Sequence, residues 1–267
     1  MSVGTVRIGS LSVSRLVVGG NPFSGFSHQT PHKDREMRHY YTAARIKETL
    51  RQAEGLGINA FLGRADAHIV RVLIEYWDEG GAIQWFAQTC PEYATVGRSI
   101  ASAMMGGARA CYLHGGQMDF LLAQGRPDEV PEAIAQIRDA GLAAGIAGHM
   151  PRVFEWAEEH LDVDFYMCAY YNPSRRDERA EHVSGAEECF ADQDREAMVR
   201  TIERLSKPVI HYKVLAAGRN DPQEAFAFVA KHLRPQDAVC VGVYTRDHPT
   251  MLEEDLRLLE QSMQHGR

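Results

Sequence analysis

One unit recurs along this chain: a short apolar run, a polar exit, then a segment of helical spacing that ends near a glycine. The apolar runs are Arg15–Val18, Ile58–Leu62, Ile83–Ala87, Ala108–Leu113, Leu142–Gly148, Asp164–Ala169, Pro208–Val214 and Ala238–Val243. Strands that are apolar on both sides must be covered on both faces, which a parallel sheet wrapped in helices achieves. Between them, Ala43–Leu56 places Ile46, Leu50, Ala53 and Leu56 at helical intervals before Gly57. Ile69–Asp78, residues 96–105, Pro131–Ala140, Arg152–His160 and Asp194–Leu205 read as helices in the same way. Asp221-Pro222-Gln223-Glu224 opens another with an N-cap, a proline at the first position and a glutamate at the third. His248-Pro249 opens the last, to about Met263. Eight strand–helix units in 267 residues predict a closed (β/α)8 TIM barrel, one α/β domain over residues 1–267. Val3–Ile8, the turn Gly9-Ser10 and Leu11–Val13 predict a β-hairpin ahead of it. Residues 22–41 and 173–193 read as long polar loops, lids or oligomer contacts.

Composition excludes several roles. A net charge of −7 offers no general attraction to nucleic acid or anionic membranes. No run of about 18 apolar residues exists, and Met1-Ser2-Val3-Gly4-Thr5-Val6-Arg7 lacks a signal-peptide pattern. The five cysteines form no C-x-x-C pair and read as reduced thiols. A cytoplasmic protein acting on a small-molecule substrate is the expectation.

In a barrel, residues at the C-terminal strand ends converge on one mouth. Ala108–Gly116 is the most suggestive: a buried strand that stops on His114 and turns on Gly115-Gly116. The other exits bring Asn21, Arg64, Asp66, Gln88, Glu92, His149, Tyr170, Asn172, Tyr212, Lys213 and Arg246 to the mouth, with Arg219 just beyond. Two chemistries fit these residues. His114, His149 and a carboxylate, Asp66 or Glu92, have the ligand types for a divalent metal. Alternatively His114 serves as acid/base, Asp66 orients it or shares the role, and His149 and Lys213 assist. Lys213 would then be an electrophilic partner or a Schiff-base amine. Asn21, Arg64, Glu92, Tyr170, Asn172, Tyr212, Arg219 and Arg246 are the expected substrate contacts. A non-catalytic ligand-binding barrel stands beside both.

Several of these segments resemble the aldo-keto reductases. Leu11-Ser12-Val13-Ser14-Arg15-Leu16-Val17-Val18-Gly19 is similar to that family's opening hairpin and first strand. Gly57-Ile58-Asn59-Ala60-Phe61 resembles the second strand, and Cys111-Tyr112-Leu113-His114 the fourth. Gly145-Ile146-Ala147-Gly148-His149 and Val163-Asp164-Phe165 are similar to the fifth and sixth. Val241-Gly242-Val243 and Met251–Leu256 resemble the last strand and helix. The resemblance implies a tetrad of aspartate, tyrosine, lysine and histidine with a nicotinamide cofactor. Of the tetrad only the histidine is kept, as His114. Leu62 or Gly63 stands at the aspartate position, His68 near the tyrosine and Gln88 or Thr89 at the lysine. Ala147-Gly148 replaces the serine–asparagine pair that holds the carboxamide, and Cys168 the glutamine. Tyr212, able to stack on a flat ring, is kept. Arg219 and Arg246 sit where the family's barrel receives the dinucleotide phosphates. The departures imply an inherited fold with altered, non-redox acid/base chemistry (isomerase, lyase or hydrolase type) on a sugar-like or carbonyl substrate. A divergent NADP-dependent reductase is the alternative.

Overall fold

The computed structural model describes residues 4–174, 180 and 189–265. In chain order the elements are β1 (Thr5–Ile8), β2 (Leu11–Ser14), β3 (Leu16–Gly19), α1 (Pro31–Tyr40), α2 (Ala43–Gly55), β4 (Ala60–Arg64) and α3 (Ala67–Asp78). Then come β5 (Gln84–Gln88), α4 (Val96–Met105), β6 (Ala110–Leu113), α5 (Gly115–Ala123), α6 (Glu129–Asp139), β7 (Ala143–Gly148) and α7 (Pro151–His160). The chain ends with β8 (Phe165–Ala169), α8 (Asp192–Ile202), β9 (Val209–Tyr212), α9 (Pro222–His232), β10 (Ala238–Gly242) and α10 (Met251–His265). Strands β3 to β10 pair in sequence order, all parallel, and β10 closes on β3 with Val239 opposite Leu16 and Gly242 opposite Gly19. The protein is a (β/α)8 barrel preceded by a β1–β2 hairpin.

Each strand divides its side chains between two cores. Val17, Leu62, Phe86, Tyr112, Ala147, Phe165, Met167, Ile210 and Cys240 fill the barrel interior. Their strand neighbours Val18, Phe61, Trp85, Cys111, Ile146, Tyr166, Val209 and Val241 face the helix layer. Each fully buried large apolar side chain contributes about 1.5–3 kcal/mol, so reversing one strand's register would forfeit several such terms at once. Gly145 admits the Phe165 ring to the interior, because a Cβ there would lie 2.5 Å from it. Val6, Ile8, Leu11 and Val13 of the hairpin join the inner core. Asn59 and Gln84 donate to the Ser12 carbonyl and so tie the hairpin beneath the starts of β4 and β5. The N-terminal end of the barrel is therefore plugged, and the open mouth lies at the strand C-termini.

Two helices stand where loops or turns are expected. Residues 22–41 contain a 3-10 turn at Pro22–Ser24 and the helix α1. Thr30 caps α1 through the Lys33 amide, and Pro31 supplies a ready-made first φ. Asp34 then turns back to bond Ser27, pinning the helix. Gly115-Gly116 opens α5 instead of forming a turn, with His114 at the N-cap position. The expected loop 173–193 falls largely outside the described residues. Among those described, no helix is long and apolar enough to cross a membrane.

One buried carboxyl in this shell lacks a partner. Asp255 of α10 is buried and its Oδ2 makes no hydrogen bond. Burial, reinforced by the nearby Glu254, pushes its pKa up to about 7. A carboxyl that binds its proton more tightly when folded destabilises the fold as pH rises from its unfolded value near 4 through about 7. The advantage of Asp255→Asn over the parent protein should therefore widen by about 2–3 kcal/mol between pH 5 and pH 8. Urea unfolding at the two pH values reads this, and a gap that fails to open with pH would refute it.

Candidate functional site

The alternation that builds the inner core continues into the mouth. Asn21 follows β3 in inward phase, Arg64 ends β4, Gln88 ends β5, His114 follows β6, His149 follows β7 and Tyr212 ends β9. All six line one cavity of about 260 Å³, together with Phe26, His28, Pro91, Glu92, Gly115 and Lys213.

The most constrained group in it is His149. Its Nδ1 lies 2.6 Å from Asp119 Oδ2, and its backbone N–H donates to Asp119 Oδ1 at 3.1 Å. Both side chains are almost wholly buried. A carboxylate at Nδ1 fixes the ring proton there and turns the Nε2 lone pair outward. Nε2 meets Tyr212 Oη at 3.3 Å, and that hydroxyl is also 3.3 Å from the Gly148 carbonyl. Gly115 makes the approach possible: a Cβ at this position would lie 2.9 Å from Tyr212 Oη and 3.0 Å from His149 Cε1. Asp119 escapes a survey of strand ends because it lies on α5. Its signal is a single carboxylate inside Met118–Leu122, a run otherwise apolar.

His114 is held differently. Its backbone N–H donates to Thr89 Oγ1 at 2.9 Å, which ties the start of α5 to the exit of β5 and leaves the imidazole lining the cavity. Lys213 Nζ lies 3.2 Å from His28 Nε2, and Asn21 Nδ2 lies 3.3 Å from the same atom. Arg64 Nε bonds Asp66 Oδ2 at 3.0 Å, and its Nη2 pairs with Glu92. Cys90, beside this group, is an inert thiol, since burial pushes its pKa up more than Arg64 draws it down.

Other expected site residues lie elsewhere. Asp66 does not reach the cavity, because its Oδ1 caps α3 at the Ile69 amide while its Oδ2 holds Arg64. It is not placed to orient His114 or to complete a metal triad with the two histidines. Among the described residues, no three His, Cys, Asp or Glu side chains converge as a metal site. Tyr170 has the opposite strand phase and points into the helix layer, where its hydroxyl meets His211 Nδ1 at 3.0 Å. His211 Nε2 in turn meets Asp237, which Arg234 grips through Nε and Nη2. Burial pushes the Asp237 carboxyl up, but the bonds from His211 and Arg234 win and hold it below the ordinary value. Tyr170 is driven up, chiefly by burial and then by Asp237. This is a structural lock outside the barrel. Asn172 is tied by its backbone to Asp194 and does not line the cavity.

Arg219 and Arg246 are occupied within the chain. Arg219 donates to the Ala216 and His28 carbonyls and stacks on Phe190, and Arg246 bonds Glu36 at 2.9 Å. Gln29 reaches the Ala217 carbonyl, Lys33 pairs with Asp247, and Tyr41 bonds the Val243 carbonyl. The segment from His28 through α1 thus lies across the exits of β9 and β10, where dinucleotide phosphates were expected. The cavity is also smaller than the roughly 300–1,000 Å³ that encloses drug-sized ligands. In this arrangement the described residues do not fit a nicotinamide dinucleotide.

No family model matches the chain, and no curated protein matches it. Solved structures do. An aldo-keto reductase from Bacillus halodurans, in its holo form, superposes with a TM-score of 0.64 at 14% identity, over 98% of this chain and 95% of that one. This chain has an aldo-keto-reductase-like barrel. Gox0644 in its apo form gives a TM-score of 0.60 at 13% identity, over 100% of this chain and 95% of its own. A truncated 3-deoxy-D-arabino-heptulosonate 7-phosphate synthase from Thermotoga maritima gives 0.56 at 10% identity, over 97% and 90%. At these identities the likeness is one of fold.

Removing the Asp119 carboxylate should leave a buried imidazole without its partner. Asp119→Ala is expected to cost about 3 kcal/mol in chemical unfolding. It should also remove the downfield imidazole N–H proton resonance that a 2.6 Å bond to a carboxylate produces. Retention of that resonance would show that it arises elsewhere.

Proposed function

We propose that the protein is an enzyme that carries out non-redox acid/base chemistry on a small sugar-like or carbonyl compound at the barrel mouth. The observation that carries this reading is the buried Asp119–His149 pair aimed at the Tyr212 hydroxyl. With Nδ1 protonated and bonded to Asp119, His149 can accept the Tyr212 proton at Nε2. The imidazolium so formed is stabilised by the carboxylate behind it. Tyr212 Oη then withdraws a proton from a bound substrate and returns it in the reverse step. His114, on another strand of the same mouth, is the second acid/base group, and two such groups suffice for isomerisation or elimination next to a carbonyl.

The rest of the cavity suits a compact polar ligand. Its 260 Å³ corresponds to about nine waters of liquid volume. Asn21, Gln88 and the Arg64–Glu92 pair present donors and acceptors for hydroxyl or carbonyl oxygens. The enzyme folds of the structural neighbours, a reductase and a synthase, are in keeping with a catalytic barrel. Among the described residues, neither a metal nor NADP finds the partners it would need in this arrangement.

The test is proton exchange in D2O with a panel of small hydroxycarbonyl compounds, followed by proton NMR. The parent protein should exchange the hydrogen next to the carbonyl of at least one compound. Tyr212→Phe and His149→Gln should each slow that exchange by about 10²–10⁴-fold, and their combination by little more. Asp66→Ala should cost about 1 kcal/mol of stability, as a lost N-cap, and slow exchange far less than either of those changes. Micromolar binding of NADPH, or exchange indifferent to both the tyrosine and the histidine, would overturn the reading.

A further inference from the structure

Lys213 is in the wrong strand phase for the mouth. Tyr212 ends β9 pointing inward, so its successor on an extended strand would point to the helix layer. The backbone at Lys213 is left-handed instead, with φ +58°, and this reversal returns its side chain to the cavity that Tyr212 lines. Its contact is built the same way, for His28 has φ +55°. Glycine takes this conformation freely, whereas a lysine and a histidine are strained in it. The chain thus spends strain twice to bring one amine and one imidazole together at 3.2 Å. Asn21 Nδ2 points to the same His28 Nε2 at 3.3 Å. With Lys213 as an ammonium both partners are donors, and Nε2 is then the acceptor of a ring that carries its proton at Nδ1. The lysine therefore faces a base able to take its proton.

We propose that Lys213 captures a small aldehyde or ketone as an iminium, with His28 as its proton acceptor. The proposal rests on the reading of the cavity as a carbonyl site and adds a covalent step to it. Lys213 gives one ammonium proton to His28 Nε2, and the freed lone pair attacks the carbonyl carbon to form the N–C bond. The C=O π pair moves to oxygen, which takes the Tyr212 hydroxyl proton, and Tyr212 recovers a proton from the nitrogen. The carbinolamine hydroxyl then leaves as water with the proton held on His28, as the nitrogen lone pair closes the C=N bond. One water is released, Lys213 keeps a single positive charge, and nothing is oxidised or reduced.

Reductive trapping tests this on the full chain. The protein is incubated with sodium cyanoborohydride and, separately, glycolaldehyde, dihydroxyacetone or pyruvate, then mapped by peptide mass spectrometry. The five lysines are Lys33, Lys47, Lys207, Lys213 and Lys231, so four serve as internal controls. With at least one of the three compounds, Lys213 should carry ten times the adduct of any other lysine. Lys213→Gly, which suits the left-handed backbone and so should fold, should lose that adduct. His28→Gln should slow labelling of Lys213 at least fivefold. Equal labelling of all five lysines, no adduct with any of the three compounds, or labelling unchanged in His28→Gln would overturn the proposal. Deuterium exchange retained without trapping removes the lysine step alone, whereas loss of both removes the site reading as well.

Discussion

Closure of eight parallel strands makes side-chain alternation a global constraint in this protein. Every strand must send alternate residues inward, and on closure those rows meet at the two ends of the barrel. One end is filled by the hairpin residues Val6, Ile8, Leu11 and Val13. The rows that pass Leu62, Phe86, Tyr112, Ala147 and Ile210 therefore end at the other, on Arg64, Gln88, His114, His149 and Tyr212. The polar mouth is thus the last layer of an apolar core. The phase that keeps Phe165 and Met167 inside also sends Tyr170 outside, into the lock with His211 and Asp237.

Three buried aspartates show how context decides the role of one side chain. Asp237 is gripped by an arginine and a histidine, stays ionised and fastens the start of β9 to the loop before β10. Asp255 has no such partners and is pushed towards the neutral acid. Asp119 bonds one imidazole through the ring and the backbone of the same residue, so it orients His149 as well as pairing with it. Of the three, only Asp119 is in contact with a residue that lines the cavity, His149.

The barrel fold is shared with an aldo-keto reductase at 14% identity. The segment from His28 through α1 crosses the exits of β9 and β10 and engages both Arg219 and Arg246. The barrel's stability lies in the inner and outer cores on which the mouth rests. The same segment brings His28 to Lys213.

The sequence by itself determined the architecture, because apolar runs alternating with helical segments admit few other closures. It also brought Asn21, Arg64, His114, His149 and Tyr212 to the mouth as strand-end residues, but together with Tyr170, which strand alternation sends into the helix layer. Only the tertiary structure decided what each of them meets. Asp119 comes from a helix 30 residues before His149. His28 reaches Lys213 across 185 residues. Asp66 is drawn away by a helix cap, and Lys213 is drawn in by one left-handed dihedral. Contacts between elements and single dihedrals at strand ends depend on how the elements pack, and periodicity along the chain carries no record of that.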